Sequence, residues 1–361
     1  MSETKVDLPR EILDAEQLQA RVANGQMVGG VRVAGLDLRE AKLCGGQFQR
    51  VDFSGCKLDG ADLRESLFAE CEFDGASMVG VDLRHGLLGS CQLADVDMRE
   101  AKLCSLIMDS AKAPRLNLRG ADLRRSTVSR GALEGLVLSG AKLEAFSLLD
   151  CEVAGLDLRE TALVGSLLMG ADMRAAKLEG ARFERVVFSN ADFSEAAFPK
   201  LDAKVCQFTG AKLDGASFVG ANFERANFQG ASLVRADLSE IHGVGAMFAE
   251  ADLSGASLRS ARLYQALFLD AVLEGSDCSG ADMRQCIFHR ARCHQARFLG
   301  ARLAEADLSE ADIREVDMSG AQMFRARLHN VQDQGAHIPN RAVTLGTDPE
   351  LAAAQNWQPK Y

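Results

Sequence analysis

Apolar and polar residues recur along this chain with a period of five. Between Val33 and Leu328 every fifth residue is apolar, and the residue two places before it is nearly always small. The pattern runs through 60 consecutive pentads without an insertion or a deletion. A period of five fits neither the 3.6 residues of a helical turn nor the two-residue alternation of a strand. It indicates a chain that turns a corner every five residues.

The residue types at two positions of the pentad predict which side chains lie inside. No first position is charged, and 32 of the 60 are alanine. Leucine, phenylalanine and methionine dominate the third positions, where the departures are Ala113, Ala203, Gly243, Cys278 and Cys293. Burying an unpaired charge costs several kcal/mol, so positions that never carry a charge are expected in the interior.

Pentads such as Ala61-Asp62-Leu63 and Ala251-Asp252-Leu253 resemble the A(D/N)LXX repeat of the pentapeptide-repeat family. The resemblance covers about 300 of the 361 residues. It implies an all-β fold, a right-handed quadrilateral parallel β-helix with four pentads in each coil. Sixty pentads then make about 15 coils, with the first and third residues of each pentad facing inward.

The two ends lack the repeat and are expected to cap the open coils. We predict an N-terminal helical cap over residues 1–30, a β-helix over 31–330, and a C-terminal tail over 331–361. The first cap is predicted to hold a helix over residues 7–24, with Asp7 as its N-cap. Asp348 and Pro349 predict a short second helix through Gln355. Trp357 follows it and is a candidate contact for a dimer or for the cap.

Composition restricts the classes of function. Forty-one basic and 51 acidic residues give a net charge of −10, which argues against direct binding of nucleic acid phosphates. No apolar run reaches the roughly 20 residues that cross a bilayer, and no basic amphipathic segment predicts membrane binding. Ten cysteines without a signal segment predict a reducing compartment, the cytoplasm.

An unbroken register places residues 20 apart on the same face. Three faces carry mixed charges at the second pentad position, whereas the fourth is mostly apolar there. Exposed apolar strips of this extent typically mark an interface. The alternative is that Val, Ile and Leu stand there for their strand propensity alone. The predicted partner-binding residues are Leu67, Leu87, Ile107, Leu149, Leu167, Met169, Val187, Met247, Leu267, Leu269 and Ile287.

Other patterns were weighed as chemical sites. Cys286, His289, Cys293 and His294 have the composition of a zinc cluster, but the register points the cysteines inward and the histidines outward. No nucleophile, base and carboxylate are in stacking relation, and no phosphate-binding glycine loop is present. We therefore expect no catalytic residue, no metal and no cofactor.

Three features of the predicted interior lead to further predictions. Phe188, Phe208, Phe228, Phe248, Phe268 and Phe288 recur every 20 residues and are predicted to stack as a ladder. Cys71 and Cys91 are successive members of another inward column. They are predicted either to fill an alanine-sized space as small residues or to form a disulfide. Gly243 replaces a large third-position residue, and we expect a local bend or bulge there.

The sequence thus favours a non-enzymatic bacterial scaffold or adaptor that binds a protein partner or a second copy of itself. A first alternative is a DNA mimic acting on DNA gyrase, as in the fluoroquinolone-resistance members that the family resemblance brings in. Its weakness is charge, because the acids are interspersed with arginines. A second alternative is a secretion-associated effector or accessory protein.

Overall fold

The structure, a computed structural model, describes residues 11–339, 341–355 and 357. The chain forms two compact units, Met1–Ala181 (unit 1) and Arg182–Tyr361 (unit 2), and each is described by itself. The predicted division into cap, β-helix and tail stays a prediction. No helix among the described residues is long and apolar enough to span a bilayer.

The predicted parallel β-solenoid is confirmed, because residues 20 apart pair in parallel throughout both units. In unit 1 one such column links Asp37, Lys57, Ser77, Asp97, Asn117, Val137, Asp157 and Lys177. In unit 2 one such column links Ala197, Ser217, Asp237, Ser257, Asp277, Arg297, Asp317 and His337. The number of coils in the whole chain stays a prediction, since these columns are followed within each unit separately.

Regular strands are short and concentrated in unit 1. Strand β1 (Glu11–Ile12) pairs with β3 (Val31–Arg32). An eight-stranded parallel sheet consists, in chain order, of β2 (Val28–Gly29), β4 (Gln47–Gln49), β5 (Leu67–Ala69), β6 (Leu87–Gly89), β7 (Ile107–Asp109), β8 (Thr127–Ser129), β9 (Ser147–Leu149) and β11 (Leu167–Met169). Strand β10 spans Ala162–Val164. In unit 2, β12 (Arg182–Glu184) pairs with β13 (Asp202–Lys204).

Backbone hydrogen bonds explain why five residues make one side of a coil. The Leu38 N–H donates to the Lys57 carbonyl at 2.8 Å, and the Lys57 N–H donates to the Leu36 carbonyl at 3.0 Å. These two bonds join one coil to the next. The corner is closed within the coil by the Ala41 N–H, which donates to the Leu38 carbonyl at 3.1 Å. Leu38 at the third position and Ala41 at the first position of the next pentad are buried as predicted, whereas Leu36 is half-buried.

The fifth position of the pentad turns the corner in a left-handed backbone conformation. Among the described residues, every residue with positive φ stands at a number divisible by five. Glycine adopts this conformation without cost, but many of these positions hold other residues. Val205, with φ of 58°, is the least suited, because a β-branched side chain clashes with its own backbone there.

We predict that Val205→Gly stabilises the protein. The substitution removes a left-handed clash of about 1–2 kcal/mol, which exceeds the entropy that glycine adds to the unfolded chain. Arg225→Gly is the matched control, because Arg225 has φ of 53° but no branch at Cβ. Thermal unfolding should show a higher Tm for both variants and the larger increase for Val205→Gly, because Arg225→Gly removes only the clash that any Cβ makes there. An equal or lower Tm for Val205→Gly would contradict the strain argument.

The aspartate of the repeat motif accepts a hydrogen bond from the backbone N–H of the fourth pentad residue. This N–H is the one that the backbone hydrogen bonds between coils leave without a partner. The Asp62 carboxylate accepts from the Arg64 backbone N–H at 3.3 Å and from the Arg64 Nε and Nη2 at 2.8 and 2.7 Å. Asp122 and Arg124 repeat the arrangement. The Asp-Leu-Arg triplets are therefore turn-closing units, and their carboxylates are paired within the pentad.

This pairing predicts acid sensitivity. The Arg39 guanidinium lowers the pKa of Asp37 to about 2, and hydrogen bonds from Arg64 and Arg159 lower the pKa of Asp62 and Asp157. Because these pKa values are lowered from the ordinary value of about 3.9, the stabilisation is complete above about pH 5 and is lost as the pH falls towards 2. Urea unfolding should give a constant midpoint from pH 7 to 5 and a falling one below pH 4. A flat profile down to pH 2 would contradict the prediction.

The predicted phenylalanine ladder is confirmed in unit 2. Successive rings of Phe208, Phe228, Phe248, Phe268 and Phe288 are stacked with centroids 4.8–5.0 Å apart and planes within 6° of parallel. The ring of Phe188 stacks on Phe208 at 5.3 Å. Each ring thus packs against the coil before and the coil after it, which couples neighbouring coils.

The expectation of a bend or bulge at Gly243 is wrong. The Gly243 N–H donates to the Arg262 carbonyl at 2.8 Å, and the Ala246 N–H closes the usual turn on the Gly243 carbonyl at 3.0 Å. A Cβ at Gly243 would lie 2.9 Å from the Leu263 Cδ2. The Leu263 side chain from the next coil therefore occupies the space, and the backbone stays regular.

The N-terminal helix is shorter than predicted. Helix α1 spans Ala15–Ala23 and starts with a capping box, in which the Asp14 carboxylate accepts from the Gln17 N–H at 2.8 Å. Ile12, predicted on this helix, instead lies in β1, because the chain there pairs with Val31 and Arg32. The predicted N-cap, Asp7, lies outside the described residues.

The predicted C-terminal helix is confirmed as α2 (Pro349–Gln355), with a 3-10 turn at Arg341–Val343 before it. The Asp348 carboxylate accepts from the N–H groups of Glu350 and Leu351 at 2.9 and 3.1 Å, as an N-cap does. The buried His329 lies between the Asp348 N–H and the Gln355 side chain, at 3.1 and 2.9 Å. These bonds attach α2 to the last pentads.

Candidate interaction surface

The apolar face predicted from the sequence lies on the eight-stranded sheet in unit 1. We call its six apolar residues the first apolar strip: Leu67, Leu87, Ile107, Leu149, Leu167 and Met169. Leu67, Leu87 and Ile107 are consecutive partners in β5, β6 and β7. Leu167 and Met169 lie in β11, where Met169 pairs with Leu149 of β9.

These side chains are substantially accessible. Leu67 is 46% exposed, Ile107 47% and Met169 39%, whereas Leu87, Leu149 and Leu167 are half-buried between their neighbours. Water still reaches the outer surface of the strip, and covering it would be favourable.

A polar belt separates the two halves of the first apolar strip. Asp109 accepts from Ser129 Oγ at 2.7 Å and forms an ion pair with Arg130 at 2.5 Å. The Arg130 guanidinium lowers the pKa of Asp109 to about 2. Thr127 and Ser147 stand at the second position in the same belt. The belt gives the sheet face a fixed polar pair between two apolar patches.

A second apolar strip lies in unit 2 and consists of Val187, Met247, Leu267, Leu269 and Ile287. Ile287 is 40% exposed and the other four are half-buried. Gln207 and Asn227 interrupt it, and Asn227 Nδ2 donates to Gln207 Oε1 at 3.0 Å. Because these two amides stand between Val187 and Met247 in the column, Val187 is separated from the other apolar residues.

The solenoid itself does not require apolar residues at these positions. Lys57, Ser77 and Asp97 occupy the second position of their pentads and pair with the coils on either side as regularly as Leu67 and Leu87 do. An apolar residue at the second position is therefore a property of this face and not of the repeat. Whether a partner covers the two strips stays a prediction.

The cysteine and histidine pattern lies as the register predicts. Cys286 and Cys293 are fully buried, whereas His289 and His294 face Glu310 and Glu315 at 4.0 and 3.7 Å. Among the described residues no group of three His, Cys, Asp or Glu side chains is arranged to hold a metal ion. Cys71 and Cys91 are free thiols inside unit 1, and each donates to a backbone carbonyl, that of Ala69 and that of Phe68.

The C-terminal part of unit 2 exposes further apolar residues. Trp357 is 72% exposed, and its backbone N–H donates to the Ala354 carbonyl at 3.3 Å. The role of Trp357 in a dimer or a cap stays a prediction. Phe324 is 61% exposed and was not singled out in the sequence. It stands at a fourth, outward position where phenylalanine is unusual in this chain, and that departure was the available signal.

The pentad geometry agrees with the comparison to known families. A profile described as pentapeptide repeats matches residues 47–84, 251–290 and 291–330, and one described as a pentapeptide repeat region matches 181–258. Together these stretches span just over half of the chain. The chain belongs to the pentapeptide-repeat family. A search of curated proteins found no match to this pentapeptide-repeat chain.

Two solved structures of pentapeptide-repeat proteins show the range of the similarity. HetL, involved in heterocyst differentiation regulation in a Nostoc cyanobacterium, is 21% identical over 87% of this chain and 96% of its own, with a TM-score of 0.24. QnrB1, a plasmid-mediated fluoroquinolone resistance protein, is 18% identical over 70% of this chain and 95% of its own, with a TM-score of 0.25. TM-scores this low carry no argument about function.

Proposed function

We propose that this pentapeptide-repeat protein is a non-enzymatic scaffold that binds protein, and that its first apolar strip is the binding surface. The observation that supports the proposal is the exposure of Leu67, Ile107 and Met169 on a continuous sheet. Apolar area on an otherwise polar surface favours association, because covering it releases about 25 cal/mol per Å².

A second copy of the chain is the partner that the face fits best. Residues of the strip recur once per coil, about 4.8 Å apart, so a second strip in a twofold arrangement has the same spacing. The Asp109–Arg130 pair lies within the face and offers both charges to a symmetry-related copy. A different protein with an apolar face of matching width is the other occupant.

We predict that Leu67→Lys, Leu87→Lys and Ile107→Lys together abolish self-association without unfolding the protein. Lysine already stands at the equivalent position as Lys57, Lys102 and Lys112, so the coil tolerates it. Three charges on the face would have to lose their water on association, which is unfavourable. Sedimentation velocity over a range of concentrations should show association in the wild type and monomer in the triple variant.

The matched control is Glu72→Lys with Gln92→Lys. Its two lysines also raise the net charge by three, because one of them replaces a glutamate, but they stand on another face of unit 1. This control should associate like the wild type. A wild type that stays monomeric at all concentrations would refute self-association. Equal association in the wild type and the triple variant would refute a role of the strip.

The DNA-mimic alternative predicts action on DNA gyrase. The structure supplies an electrostatic argument against it, because the carboxylates of Asp62, Asp122 and Asp157 are each paired with the arginine two residues later. Duplex DNA presents unpaired phosphates at about one charge per 1.7 Å. In a supercoiling assay with purified gyrase, we expect no inhibition and no protection from a fluoroquinolone at micromolar concentration. Inhibition that saturates at one protein per gyrase site would favour mimicry instead.

We propose a cytoplasmic location, on the ground of ten cysteines that would persist as thiols in a reducing compartment. A role as a secretion-associated effector or accessory protein stays an alternative, which the partner's identity would decide.

A further inference from the structure

A cavity of about 650 Å³ opens on the surface of unit 1 at a corner of the solenoid. It lies in the turns that precede strands β6, β7 and β8. Side-chain size explains why the surface is indented there. Arg84 and Arg124 hold the fourth position of their pentads, but the pentad between them holds Cys104 and, at the fifth position, Ser105. We call this cavity the arginine notch.

Two arginines on opposite sides of the notch are held in place by the repeat. Arg84 donates through Nε and Nη2 to Asp82 at 2.8 and 2.7 Å. Arg124 donates in the same way to Asp122 at 2.8 and 2.6 Å. Each pairing fixes the plane of the guanidinium and leaves its Nη1 group to donate elsewhere.

Three further donors around the notch are not engaged. The side chains of His85, Ser105 and Arg125 make no hydrogen bond or ion pair with any part of the chain that the structure describes. All three line the same cavity as Arg84 and Arg124. A guanidinium, an imidazole and a hydroxyl that line one cavity without a partner can all donate to an oxygen-rich anion.

The local charge supports this reading in an otherwise acidic protein. Lys102 lies in the column between Asp82 and Asp122 and adds a positive charge to the two fixed pairs. The thiol at the floor is neutral, because burial raises the pKa of Cys104 and nearby Asp122 raises it further. Glu144 is the one acid that lines the notch.

We propose that the arginine notch binds the phosphate group of a small phosphomonoester. Guanidinium groups donate in pairs to phosphate oxygens, and such bonds are about twice as strong as those between neutral groups. The volume lies within the range of small-molecule sites, roughly 300–1,000 Å³, so it holds the phosphate with part of the group it esterifies. This binding is independent of the first apolar strip.

Isothermal titration calorimetry on the full chain at low ionic strength tests the proposal with inorganic phosphate and glycerol phosphate. Both should bind to one saturable site, because the recognised group is the same, and acetate should bind much more weakly. Arg125→Gln should raise Kd at least about tenfold, the effect of one lost charged hydrogen bond. No saturable heat with either phosphate, or equal binding of acetate, would overturn the assignment.

Three further variants separate a shaped site from general attraction of anions. Cys104→Arg completes the arginine row and fills the notch, so phosphate binding should be lost although the net charge becomes more positive. Arg314→Gln removes the same charge as Arg125→Gln from unit 2 and should leave Kd unchanged. Glu144→Gln should lower Kd. Tighter binding in Cys104→Arg, or equal weakening by Arg314→Gln and Arg125→Gln, would show attraction by charge alone and refute the site.

Discussion

Every other feature of this protein depends on the stacking of one coil on the next. A single coil cannot bury its own inward residues, since the neighbouring coils form the ceiling and floor of its interior. The Leu38–Lys57 backbone bond and the stacked rings of Phe228 and Phe248 join adjacent coils in this way. Because each contact repeats 20 residues later, a change of register would expose the whole interior.

Coil stacking also determines which pentad positions serve the fold and which are available for function. First and third positions are fixed by burial, the fifth by its left-handed backbone, and many second positions by the bond that an aspartate makes to the turn. Asparagine makes the same bond at Asn117, Asn222 and Asn227, so the turn leaves the second position free only where neither residue stands. The first apolar strip includes such positions from Leu67 to Ile107, whereas the arginine notch arises at the fourth and fifth positions, where Cys104 and Ser105 are small.

The sequence predicted the inward positions and the apolar face through the strict period of 60 uncharged pairs, and the solenoid through its resemblance to the pentapeptide-repeat family. It failed where a side chain from another coil decides the outcome. Leu263 fills the space at Gly243, and β1 takes Ile12 from the predicted helix. The arginine notch was also missed, because it depends on the absence of a long side chain at Cys104 between Arg84 and Arg124.

The central claim is that association covers the first apolar strip. Hydroxyl-radical footprinting at increasing protein concentration tests this directly, because it reports the accessibility of each side chain. The account predicts that oxidation of Leu67, Ile107 and Met169 falls as the protein associates, while oxidation of the more exposed Phe324 in unit 2 stays constant. Unchanged oxidation of the strip in the associated protein, or protection of Phe324 in its place, would contradict the claim.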